Sequence, residues 1–291
     1  VHARVSAVTR LPDGGFAVEC SGAVRKFDRV VIATGGMSYP RTGSTGDGYR
    51  FARELGHTVT PLRPSLVPIE SSHPLCREAM GLTLKNVTLD VYEQGRKKPV
   101  YSELGELLFT HFGLSGPLAL SASAAMRHAG EVPYEAVIDL KPALDEKTLD
   151  RRIVSDFEKY SNRDFANALG GLLPQKLIAP FVALTGISPT KKVNSLTRAE
   201  RASVVAHMKG MRIPLSGLRP IEEAVVTSGG VSIREIDPHT MESKLIPGLF
   251  FAGEIIDVDG YTGGYNLQIA WSTGHAAGIA AADAGNNISG S

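Results

Sequence analysis

Two linked stretches hold the residue types best suited to chemistry: Phe250-Phe251-Ala252-Gly253-Glu254, and then Gly263-Gly264-Tyr265-Asn266-Leu267-Gln268-Ile269-Ala270. The apolar run predicts a buried strand. Gly253 lets backbone approach a ligand closely, and Glu254 supplies a carboxylate that accepts hydrogen bonds from hydroxyls. Gly263-Gly264 predicts the opening of a helix rich in small residues. The first turn of such a helix has free N–H groups and a partial positive charge. Strand, acid and glycine-led helix together describe a pocket for a sugar-linked, electron-rich ring. A flavin is the first candidate.

A second stretch follows the same pattern. Arg29-Val30-Val31-Ile32-Ala33-Thr34-Gly35-Gly36 is a short β-branched strand running into glycines, and the segment to Tyr49 is dense in Gly, Ser and Thr. Phe51, Ala52 and Leu55 then stand at helical spacing, with Gly56 as the expected stop. One glycine-rich strand-to-helix segment is common in α/β proteins. Two in one chain, on opposite sides of a long middle region, are much harder to dismiss as ordinary connecting turns.

The polar candidates on the substrate side are Tyr39, Arg41 and His111. Arg41 can fix a carboxylate or enolate oxygen, or serve in an ion pair. Tyr39 can stack or donate, or pack before Pro40. His111 can shuttle a proton near neutral pH, or be a satisfied histidine. Asp257-Val258-Asp259-Gly260 does not continue as a calcium loop: the sixth position is Thr262 and the twelfth Gln268. These acids are expected to shape the loop before the helix, with Asp257 in reach of a cofactor. No histidine or cysteine spacing suggests a metal site. Gly113-Leu114-Ser115-Gly116 lacks the spacing of a hydrolase elbow.

The fuller motif set resembles a known family. It comprises Ser38-Tyr39-Pro40, Thr45-Gly46-Asp47-Gly48, Gly105 to His111, Gly113-Leu114-Ser115-Gly116-Pro117, Val226 to Val231, and Gly253-Glu254 through Asn266. In order and type these resemble the BaiN/YhiN-type flavoproteins, the aminoacetone oxidase-like FAD-binding enzymes. The resemblance implies an FAD-binding fold of the two-dinucleotide-binding-domain type, α/β with an inserted lobe of antiparallel β-barrel plus helices. It implies that Glu254 bonds the ribityl chain. The cofactor-binding set it implies is Ala33, Thr34, Gly35, Gly36, Asp47, Gly253, Glu254, Asp257, Gly263, Gly264, Tyr265, Asn266 and Leu267. Such a fold opens with a strand and a G-x-G-x-x-G turn for the FAD pyrophosphate. No such motif occurs here, and the chain starts at Val1. The fold is therefore expected to be N-terminally incomplete, by roughly a hundred residues where one βαβ unit takes about 30 or more.

The elements that must position these residues follow from pattern. With 43% hydrophobic and 21% charged residues over 291 positions, the chain has enough apolar mass for one large or two medium cores. A net charge of +1 gives no reason to expect a nucleic-acid or membrane-surface partner. Two cysteines, Cys20 and Cys76, without C-x-x-C spacing suit a reducing, cytoplasmic setting. No apolar run is long enough to span a membrane.

Strands are expected at Val5–Thr9, Phe16–Cys20, Val24–Phe27 and Val30–Ala33, with Asp13-Gly14-Gly15 as a hairpin turn. Prolines 61, 64, 68 and 74 mark an exit from this domain. Asn86–Glu93 alternates, with Val87, Leu89 and Val91 on one face, which predicts a half-buried antiparallel strand. Gly95 turns it towards Val100 and Tyr101, and Ala136–Leu140 is another strand. Leu149, Ile153 and Phe157 share a helix face. Asn167–Leu184 is helical but interrupted, and Thr197 with Glu200 forms a capping box. Strands return at Ala224–Thr227 and Val231–Ile233. The expected domains are 1–70 and 220–291, forming one FAD-binding domain, with an insert at 71–219. Its β part is 71–144 and 214–219, and its helical part is 145–213. The ends of the Ala33–Gly36 and Phe251–Glu254 segments are expected at one sheet edge.

The function this supports is an FAD-dependent oxidoreductase acting on a small organic substrate, with NAD(P)H as a candidate reductant or oxygen as acceptor. Two alternatives stand beside it: a cofactor-free fragment serving as a folded interaction module, and a non-catalytic flavin-binding protein.

Overall fold

Turn chemistry begins the fold. Gly14 takes a left-handed conformation between β1 (Val5–Arg10) and β2 (Phe16–Cys20), and the positive-φ pair Ser21 and Gly22 returns the chain into β3 (Ala23–Phe27). The computed structural model describes residues 3–283. After this antiparallel meander come β4 (Val30–Ile32), α1 (Asp47–Glu54) and β5 (Arg63–Ser65). Gly56 follows α1 with a φ of 86°, a stop that only glycine makes cheaply.

The chain then builds a second unit from 67 to 219. Its elements are β6 (Ile69–Glu70), α2 (Pro74–Glu78), β7 (Thr83–Glu93), β8 (Tyr101–Thr110), β9 (Gly113–Ser115), α3 (Gly116–Ala125) and β10 (Tyr134–Asp139). The helices α4 (Glu146–Lys159), α5 (Phe165–Ala168), α6 (Gln175–Thr185) and α7 (Arg198–Lys209) follow, and then β11 (Met211–Leu215) and β12 (Gly217–Leu218). Thr197 caps α7: it accepts from the Glu200 backbone while Glu200 reaches back, the reciprocal capping box. Glu200 is held down to about 2, first by the Lys191 ammonium and then by the Thr197 backbone.

All seven strands of this unit join one antiparallel sheet in the order β11-β10-β7-β8-β9-β6-β12. Its two edge strands are consecutive in sequence and separated by Ser216 alone. Only a strongly curled sheet allows that. The two act as one run of chain: Met211–Leu215 pairs with β10, while Ser216 N–H donates to the Glu70 carbonyl at 2.8 Å and Gly217–Leu218 pairs with β6, so the two ends of the strand order are joined through Ser216. Val87, Leu89 and Val91 are buried, and with Phe109, Ile138, Leu149, Phe181 and Met208 they form the core of this unit.

The chain returns to its first unit, residues 1–66 and 220–291, as β13 (Val226–Ser228), β14 (Leu249–Phe251) and α8 (Tyr265–Asp283). β13 pairs antiparallel with β5, and β14 pairs parallel with β4. Residues 231–233 are not the strand expected. Val231 makes isolated bridges to Val59 and Ile256, and Ile233–Glu235 is a 3-10 turn, because Gly229 and Gly230, both at positive φ, stop the ladder. Phe16, Ile32, Tyr49, Phe51, Phe250, Phe251, Ile255 and Ala277 centre this core. Arg29 donates to the carbonyl of Ala281 at 2.8 Å, so a cation sits at the negative end of α8. No described helix is long and apolar enough to cross a membrane.

Candidate functional site

The parallel pair sets the geometry. Leu249 lies opposite Val30 and Phe251 opposite Ile32, so both strands deliver their glycines to one edge. Past β14 the chain turns through Gly253, whose φ of 78° admits glycine readily, into a 3-10 turn, Gly253–Ile255, that carries Glu254.

Glu254 is anchored by one oxygen. Its Oε1 accepts from the Ser38 hydroxyl at 2.8 Å and from the Thr227 backbone N–H at 2.8 Å. Thr227 Oγ1 in turn accepts from the backbone N–H groups of Met37 (2.8 Å) and Ser38 (3.1 Å). The other carboxylate oxygen, Oε2, has no partner among the described residues. Tyr49 donates to the Glu254 carbonyl at 3.4 Å. Burial first, then the charges of Glu254 and Asp257, push its phenol far above the usual range, so it stays a neutral donor. Close packing favours glycine at two positions here. A Cβ on Gly36 would run into Glu254 Oε1 and Thr227 Oγ1, and one on Gly48 would run into Thr34 Oγ1 and Ile255.

α8 supplies the second component. Its first helical bond runs from Gln268 N–H to the Gly264 carbonyl. The N–H groups of Tyr265, Asn266 and Leu267 therefore have no intrahelical acceptor. The Asn266 side chain is committed elsewhere: it accepts from Gly260 N–H at 2.9 Å and donates to Gly260 C=O at 2.8 Å, clamping the preceding loop. Gly253 N–H donates to Thr273 Oγ1 on the same helix at 2.9 Å, which joins the Glu254 turn to α8. Tyr265, Leu267 and Trp271 are exposed on α8, a Cβ on Gly263 would meet the Tyr265 ring at 3.6 Å, and one on Gly264 would meet nothing within 4 Å.

The remaining candidates divide by unit. Tyr39 sits at φ 48°, ψ 59°, exposed, leading the 3-10 turn Pro40–Thr42. Arg41 in that turn is exposed and has no partner among the described residues. Ala33 and Thr34 are exposed past β4. Asp47 opens α1 and accepts from Arg4 at 3.1 Å and Thr45 at 3.0 Å. Asp257 has no side-chain partner among the described residues. Asp259 is fully engaged by Ser65 (2.8 Å) and Ser228 (2.9 Å) and so ties β5 to β13. His111 belongs to the other unit, exposed at the β8–β9 turn and edge-on to Phe112 at 4.9 Å.

The donor set fits the ring-and-ribityl end of FAD. A free carboxylate oxygen suits a ribityl hydroxyl, and the free N–H groups of a 19-residue helix suit a carbonyl edge. Nothing lies within 4 Å of a Cβ placed on Gly264, so the backbone at the start of α8 is open to a ligand.

The family profile for the HI0933-like protein Rossmann domain matches residues 1–280. The chain belongs to this family. This HI0933-like chain is 32% identical over 286 residues to the 3-dehydro-bile acid delta(4,6)-reductase of Clostridium scindens, covering 96% of this chain and 68% of the relative. It is 34% identical over 260 residues to the ribosomal RNA dihydrouridine synthase of Escherichia coli, covering 89% and 62% respectively. The Haemophilus influenzae protein of the same description is 31% identical over 282 residues, covering 95% and 66%. The HI0933-like chain thus spans about two thirds of the length of these curated relatives. Sequence reasoning did not assign Ser38, Thr227 or Thr273 to the site. The signal for Ser38 and Thr227 was their place beside the Gly36 and Gly229-Gly230 turns.

Proposed function

We propose that this chain is the ring- and ribityl-binding body of an FAD-dependent oxidoreductase that saturates a carbon–carbon double bond conjugated to a carbonyl. The half-anchored carboxylate of Glu254 carries the cofactor part of this reading. The relatives support the reaction class. A delta(4,6)-reductase of a 3-dehydro-bile acid and a dihydrouridine synthase both remove unsaturation beside a carbonyl.

FAD, when bound, would supply the hydride chemistry, with NAD(P)H as the class of reductant this reading calls for. The chain's own residues have distinct tasks. Glu254 Oε2 accepts from a ribityl hydroxyl, while Ser38 and the Thr227 N–H keep the carboxylate oriented. The free N–H groups of Tyr265, Asn266 and Leu267 would hold a carbonyl edge of the bound ring and favour negative charge there. Arg41 stabilises the substrate's enolate oxygen, and Tyr39 offers a phenolic proton for the carbon beside the carbonyl. His111 is retained as a proton carrier on its own unit. The unpaired Cys20 and Cys76 support a cytoplasmic setting. The substrate is read as a small molecule. The RNA-directed relatives add uridine to the substrates to assay, although net charge gave no reason to expect RNA.

The test is equilibrium titration with FAD, followed by flavin fluorescence, and then anaerobic reduction with NADPH and turnover of a conjugated enone or of uridine-containing RNA. Saturable quenching that Glu254→Gln weakens is expected. A chain that takes up no FAD sinks the reading.

A further inference from the structure

A cleft of about 700 Å³ opens beside the curled sheet of residues 67–219, bounded by the start of β7, by β8, by the β10–α4 loop and by α4. A β-bulge shapes its mouth. The β7–β8 register shifts between Leu84 and Val87, and Asn86 takes a left-handed φ of 54°. Lys85 and Asn86 are consequently both exposed, where a regular strand would turn one of them inward, and both line the cleft.

Three cations line the cleft, and among the described residues only one of them, Arg152, has an anionic partner, Asp156. Lys85, Lys141 and Arg152 line the cleft, and none of its lining side chains is a carboxylate. The Lys141 ammonium is partly buried and has no acceptor among the described residues. The nearby carboxylate is already taken: Asp139 pairs with Lys209 at 2.6 Å and accepts from the Lys141 backbone at 2.8 Å. Arg152 uses Nε on Asp156 at 2.8 Å, which leaves its terminal nitrogens free. Burial, and then the Arg152 guanidinium, hold the Lys141 ammonium below the usual lysine range. A desolvated cation beside another cation is unfavourable unless a ligand supplies the counter-charge. The floor is apolar, with Leu104 62% exposed and Leu144 beside it. Such a floor suits the flat face of a base or the edge of a ribose.

We infer that this cleft binds the phosphate of a nucleotide, with the oxyanion held by Lys85, Lys141 and Arg152 and the nucleoside lying over Leu104 and Leu144. Two sources share this chemistry: the phosphodiester backbone of a single-stranded RNA and the phosphates of NADPH. The site goes beyond the flavin reading and does not depend on it, because it is measured without FAD.

The experiment is fluorescence anisotropy of a labelled RNA decamer on the full chain at several salt concentrations, with NADPH and inorganic phosphate as competitors. Direct titration with NADPH forms a second arm. Binding that inorganic phosphate displaces is expected in at least one arm, and the responding arm identifies the source. Lys85→Ala, Lys141→Ala and Arg152→Ala should each weaken it about 5–10-fold, and in the RNA arm each should lower the salt slope by about 0.7. Lys141→Met separates ligand binding from a structural role. It should lose affinity while its Tm rises, because a desolvated charge has been removed. No binding in either arm, wild-type affinity in all three alanine variants, or a fall in Tm for Lys141→Met overturns the assignment.

Discussion

Ser38 donates its hydroxyl hydrogen to Glu254 Oε1 at 2.8 Å, a contact between residues 216 apart in sequence. With the Thr227 N–H on the same oxygen, it points the other carboxylate oxygen at open space. Glu254→Ala should weaken FAD binding by about 1.5–3 kcal/mol, and Ser38→Ala by about 0.5–1.5 kcal/mol. Fluorescence titration reads both. Equal loss in the two variants would mean that the serine, rather than the acid, contacts the cofactor.

Two glycines should respond to alanine with opposite signs. Gly48→Ala drives a methyl group into Thr34 and Ile255 and should destabilise the first unit by about 1–3 kcal/mol. Gly274→Ala lies on an exposed face of α8 with nothing within 4 Å and should stabilise it by up to about 1 kcal/mol. Urea unfolding decides the signs.

His57 should make stability depend on pH. The Ser243 hydroxyl accepts from the backbone N–H groups of Leu245 and Ile246, both at 3.0 Å, so its own proton goes to His57 Nε2 at 2.7 Å. That leaves the proton of neutral His57 on Nδ1, which is buried and unpartnered. Burial, the largest cause, lowers its pKa from the ordinary 6.5. The unfolded chain therefore binds this proton first as pH falls. The His57 contribution is complete above about pH 6.5 and is lost progressively below it. Melting temperatures at pH 5 and 7.5 should differ less in His57→Phe than in the parent.

Asn266→Ala removes both ends of the clamp on Gly260. Limited proteolysis should then cut faster within residues 258–264, and FAD affinity should fall even though no cofactor contact has been deleted. Asn266→Asp keeps the acceptor and loses the donor, so it should fall between the two. An unchanged cleavage pattern in both variants would remove the clamp from the argument.

Local patterns legible in the sequence did hold. The alternation of Val87, Leu89 and Val91, the Thr197–Glu200 box and the strand-into-glycine endings at Ile32 and Phe251 each depend on neighbours within a few residues. Periodicity and turn chemistry encode these directly. How the strands of the insert come together, with Met211–Leu215 on β10 and Gly217–Leu218 on β6, depends on twist accumulated over seven strands and is not written in any local pattern. Residues 231–233 looked like a strand by composition but lost the ladder to paired glycines. The partners of Glu254, the loop clamp of Asn266 and the cluster of Lys85, Lys141 and Arg152 beside the β7 bulge came from tertiary structure alone. A hydrogen bond across 216 residues leaves no mark on local spacing, and a charge without a partner is recognised only once every neighbour is in place.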